Sequence, residues 1–74
     1  MIIDSQKVEE IKKAYPAGTR IELIHMDDIQ APPDGTKGTV KGVDDIGQIM
    51  MHWDTGSSLS LVVGIDEFKV IKSQ

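Results

Sequence analysis

No cysteine occurs in these 74 residues, which excludes both a disulfide framework and a thiolate metal site. Side-chain packing alone must hold the fold. Aromatic residues are nearly as scarce: Tyr15, Trp53 and Phe68 are the only three. No apolar run approaches the roughly 18 residues needed to cross a bilayer. The start, Met1-Ile2-Ile3-Asp4, lacks a basic region followed by an apolar signal core. A soluble, cytoplasmic protein without a membrane contact is expected.

Basic charge is also short. Eight lysines and arginines face twelve acidic residues, for a net charge of −4. The imbalance is not uniform, because residues 21–68 carry only Lys37 and Lys41 against nine carboxylates. Such a surface repels a phosphate backbone and lacks the electrostatic term that dominates non-specific nucleic-acid affinity. No nucleic-acid partner is expected. A chain of this length makes one domain with one modest core, so residues 1–74 are read as a unit with a helix in 1–15 and a β-barrel over 19–71.

What is present reads first as a short helix. Asp4 or Ser5 is placed to cap its amides, and Val8, Ile11 and Ala14 or Tyr15 recur at helical spacing. Lys12 and Lys13 suit the negative end of the dipole, and Pro16 with Gly18 stops the helix. A helix this short is marginal alone and must dock its apolar stripe on the rest of the chain.

From Thr19 the apolar period becomes two. Strands are expected at 19–26, 36–43, 47–53, 58–63 and 68–71. The longest loop is Asp27–Gly35, where Pro32 and Pro33 forbid a continuous ladder. Asp44-Asp45-Ile46-Gly47 and Asp54-Thr55-Gly56-Ser57 read as hairpin turns with a left-handed glycine, and Gly64-Ile65-Asp66-Glu67 as one turn before the last strand. Gly35 and Gly38 read as devices for a turn and a bulge, since a phosphate loop would need glycines opening a helix. The fold class is mostly β: a small five-stranded SH3-like barrel with one short N-terminal α-helix. Its expected core is Ile21, Leu23, Val40, Ile49, Met51, Trp53, Leu59, Leu61, Phe68 and Val70.

A family resemblance rests on particular residues. They are Tyr15-Pro16, Gly18-Thr19-Arg20-Ile21-Glu22-Leu23, Met26-Asp27-Asp28, Gly35-Thr36-Lys37-Gly38-Thr39-Val40, Val43-Asp44-Asp45-Ile46-Gly47-Gln48-Ile49, Trp53-Asp54, Gly56-Ser57-Ser58-Leu59 and Asp66-Glu67-Phe68. In this order they resemble the bacterial and phage family known as domain of unknown function 4314, over about residues 15–68. The resemblance implies a family and an SH3-like fold, and it implies no activity.

The candidate binding residues are Tyr15, Asp27, Asp28, Asp34 and Trp53. Trp53 shares a strand face with Ile49 and Met51, which points it into the core; the alternative makes it a groove aromatic with Tyr15 as a second wall. Asp27, Asp28 and Asp34 read as turn formers and solubilising charges, or as carboxylates facing a partner. Neither EF-hand spacing nor further ligands beside His25 and His52 accompany them, so no metal and no cofactor are expected. Ser57, Ser58 and Ser60 lie near His52 and Asp54 without a nucleophile elbow, so catalytic residues are expected to be absent.

Two functions follow from these residues. One is a non-catalytic binding module that docks a protein partner, a basic one given the charge, through an acidic barrel surface. The other is a small-molecule-binding or enzymatic domain with its site between the 27–35 loop and Trp53. Oligomeric state is not set by the sequence.

Overall fold

A computed structural model describes residues 5–71. The order of elements is α1 (Ser5–Ala14), β1 (Arg20–His25), β2 (Lys37–Val43), β3 (Gln48–Trp53), β4 (Leu61–Val62) and β5 (Glu67–Ile71). The five strands form one antiparallel sheet in the order β4-β3-β2-β1-β5. The sheet is not closed, and β4 and β5 are its two edges. The mostly β architecture with one short helix is therefore as expected.

Alternation along β3 sets the core. Ile49, Met51 and Trp53 are buried while Met50 and His52 face outward, as a period of two requires. With Ile21 and Leu23 of β1, Val40 of β2 and Leu61 of β4 they make one cluster, which Met26 joins from the loop after β1. Leu59 and Phe68 are only partly buried against that cluster. Val70 does not belong to it: its side chain is 54% exposed, because β5 is an edge strand that pairs with β1 on one side and, among the described residues, with nothing on the other. Met26, absent from the expected core, is buried.

The helix does dock. Val8 is buried, and a Cβ at Gly47 would meet Ile11 Cδ1 at 3.3 Å and Val8 Cγ2 at 3.6 Å. Lys12 pairs with Glu9 one turn back, at 3.8 Å. Beyond the helix, Tyr15 meets Phe68 edge to face, with ring centroids 5.6 Å apart. The linker is stitched to β2, since Gly18 N–H donates to Val40 O and Val40 N–H donates to Thr19 O, both at 2.8 Å. Asp4, one of the two expected caps, lies outside the described residues.

The two hairpin turns are the same device used twice. Gly47 N–H donates to Asp44 O and Asp44 N–H to Gln48 O; likewise Gly56 N–H donates to Trp53 O and Trp53 N–H to Ser57 O. Gly47 (φ +85°) and Gly56 (φ +96°) supply the left-handed residue that each turn requires. The second turn thus begins at Trp53, one residue earlier than expected. Asp44 Oδ1 reinforces the first by accepting from Ile46 N–H and Gln48 N–H. The bulge in β2 falls between Val40 and Gly42, not at Gly38, whose role is to leave room for Trp53.

Candidate functional site

The Asp27–Gly35 loop has a regular internal construction. Asp28-Ile29-Gln30-Ala31 is a turn in which Ala31 N–H donates to Asp28 O at 3.0 Å, while Asp28 Oδ1 accepts from Gln30 N–H at 2.8 Å. This is the local bonding that aspartate offers a chain that cannot continue a ladder. Farther on, Thr36 N–H and Oγ1 both donate to Pro33 O. Gly35 N–H then donates to Leu23 O and Leu23 N–H to Thr36 O, tying the end of the loop to β1. Asp34 Oδ1 lies 3.4 Å from His25 Nδ1 across the base of the loop.

Facing this loop is the segment from Ser57 to Asp66. Sequence alternation predicts a strand over 58–63, but only Leu61 and Val62 pair with β3. The reason is Trp53, whose indole N–H donates to Leu59 O at 2.8 Å. Ser57 Oγ also accepts from Leu59 N–H at 3.3 Å, so residues 57–60 are held against the tryptophan instead of in the ladder. Past β4, Ile65 and Asp66 N–H groups both donate to Val62 O, and Asp66 Oδ2 accepts from Val62 N–H at 2.8 Å.

Between loop and segment lies a groove of about 630 Å³. One wall carries Asp27, Asp28 and Gln30; the other carries Ser57, Ser58, Ser60, Ile65 and Asp66. Three carboxylates therefore face it, and among the described residues no lysine, arginine or histidine lines it. That charge arrangement favours a cationic group and disfavours an anion.

The candidate residues are only partly united by this geometry. Asp27 and Asp28 line the groove. Asp34 sits at the loop base with His25, and Tyr15 packs on Phe68. Trp53 is fully buried with its one polar atom satisfied internally, so it offers no face to a ligand; it shapes the groove from behind by fixing Leu59. Sequence reasoning misses Asp66 and Ile65 as groove residues. The available signal is the tight Gly64-Ile65-Asp66 turn, which the sequence reading takes for its backbone alone.

Of the serines, His52 and Asp54 that lie near one another in sequence, the serines line the groove while the aspartate is engaged by β1. Asp54 is held by Arg20 in a two-pronged pair, Nη1 to Oδ1 at 2.9 Å and Nη2 to Oδ2 at 2.8 Å, and Nη1 also donates to Thr39 Oγ1. These hydrogen bonds, ahead of the charge of Arg20, hold the Asp54 carboxyl below its usual range against an opposing contribution from partial burial. Arg20 is raised in turn, first by the same bonds. The pair leaves Asp54 outside the groove. Among the described residues, no group of three His, Asp or Glu side chains is placed to hold a metal, and no helix is long and apolar enough to cross a membrane.

The chain matches the family model described as Domain of unknown function (DUF4314) over residues 4–71, and it belongs to that family. Neither the curated proteins nor the solved structures compared with it give a match.

Proposed function

We propose that this member of a family of unknown function is a non-catalytic, cytoplasmic binding module that docks a basic protein partner in a bacterial or phage setting. The observation that carries the reading is the groove with three carboxylates and no cation among the described residues of its walls. An electrostatic field of one sign in a cleft steers an oppositely charged partner and discriminates against others. The architecture suits the role, because a recognition loop anchored on a rigid sheet keeps its side chains in place. We read that architecture as an SH3-like barrel. In support, Leu61 from one edge strand and Phe68 from the other meet a single core cluster, and the strand order has β1 between β2 and β5.

The test compares the protein with its Asp27→Asn/Asp28→Asn double variant as baits in host lysate. The amide introduced at position 28 keeps a carbonyl that can accept from Gln30 N–H, so the loop is preserved while its charge is lost. Basic proteins captured by the first bait and not by the second, with capture weakening as salt rises, are the expected result. The competing reading is a small-molecule or enzymatic site in the same groove, and a thermal-shift screen addresses it. A concentration-dependent rise in melting temperature with a nucleotide or metabolite would favour that reading.

A further inference from the structure

Two exposed isoleucines belong to the segments that wall the acidic groove, and neither is part of the core cluster. Ile29 is fully exposed and Ile65 is 77% exposed. Ile29 occupies the second position of the Asp28–Ala31 turn, between two residues that line the groove, and Ile65 lines the opposite wall. Scattered apolar side chains are ordinary on a protein surface, but Ile65 lines this cleft and Ile29 sits in the chain between two residues that do. Each is propped outward by backbone bonding: the Asp28 side chain and carbonyl fix the first turn, and the Val62 carbonyl fixes the second. A backbone already fixed by such bonds has little further entropy to lose when a partner covers the side chain it carries.

Resting on the reading of the groove as a docking site for a basic protein, we infer that its occupant is a peptide segment in which lysine or arginine flanks an apolar residue. The cations face Asp27, Asp28 and Asp66, and the apolar residue is covered by Ile29 and Ile65. Charge complementarity selects the segment and sets its rate of arrival, while burial of the isoleucines supplies the contact that keeps it there. A partner that was only basic would leave both isoleucines in water.

The experiment is selection of a displayed random peptide library against the folded chain, followed by affinity measurement of the winners on variants. Winners are expected to carry at least a pair of lysines or arginines around an apolar residue. Their affinity should fall about tenfold or more on Ile29→Ser/Ile65→Ser and on Asp27→Asn/Asp28→Asn, both of which alter exposed side chains and should retain the parent melting temperature. Backbone amide shifts in a nuclear magnetic resonance titration should cluster at Asp27–Gln30 and Ser57–Asp66. Basic winners that depend on Asp27 and Asp28 but are indifferent to both isoleucines overturn this inference and leave the docking reading standing. No winners, neutral or acidic winners, or shifts confined to another face overturn both. Sedimentation showing a dimer that Ile29→Ser dissolves would also overturn it, by assigning the isoleucine to a second copy of the chain.

Discussion

Gly38 stands opposite Trp53 in the β2–β3 ladder, and a methyl group on it would lie 2.7 Å from Trp53 Cε3 and 3.0 Å from the His52 carbonyl oxygen. The tryptophan ring thus lies directly on backbone. Gly38→Ala should destabilise the protein by about 1–3 kcal/mol, the usual cost of overpacking a filled core. Urea denaturation followed by tryptophan fluorescence measures this, and a red-shifted native emission would accompany displacement of the ring. An unchanged midpoint would refute the contact.

Trp53→Phe keeps an aromatic plug but removes the indole donor. The Leu59 carbonyl would lose its 2.8 Å bond, a half-buried one, at a cost of about 0.5–1.5 kcal/mol. Hydrogen exchange should quicken at Ser57–Ser60 before it does in β1–β3, because this bond holds the segment off the ladder. Peptide winners from the library should bind this variant less tightly although Trp53 touches none of them.

The Arg20–Asp54 pair predicts a pH dependence with a definite sign. The folded carboxyl is depressed, so its contribution is present above the unfolded value of about 4 and is lost as pH falls through the lower folded value. The stability difference between the protein and Asp54→Asn should therefore be constant near neutrality and shrink only in acid below about pH 4. High salt should reduce it, since both groups are partly solvated. A difference that vanished between about pH 6 and 8 would point to another group.

Duplex and single-stranded nucleic-acid probes should not bind even at about 50 mM salt, where phosphate contacts are strong. Fluorescence anisotropy is the measurement. Micromolar binding that weakens steeply with salt would mean that the basic residues outside 21–68 dominate the surface.

The three central strands are legible because their chemistry is local: alternation in Ile49-Met50-Met51-His52-Trp53 gives the inward face, and Asp44 and Gly47 fix the turn that sets its register. Strand four is shorter than its alternation predicts, since a side chain from another strand, the Trp53 indole, captures Leu59. Val70 falls outside the core because period two identifies a face without saying whether a neighbour covers it. Of the candidate site, Asp27 and Asp28 can be read from loop length and charge. Asp66 and Ile65 cannot, because the approach of the 57–66 segment to the 26–30 loop is a property of the folded sheet. The Arg20–Asp54 pair joins positions 34 apart, with no short-range pattern to announce it.

The pairing of β1 with β5 also governs when this protein can become itself. During synthesis Ile21 and Leu23 leave the ribosome long before Phe68, whose strand lines one flank of β1. The β2–β3 hairpin can form early, but β1 keeps an open edge until residue 71 has emerged, and an open apolar edge is the feature most prone to improper pairing. A chain stalled or cut before β5 should therefore leave the backbone of β1 unpaired beside Ile21 and Leu23, and the segment Glu67–Ile71 is what covers that edge.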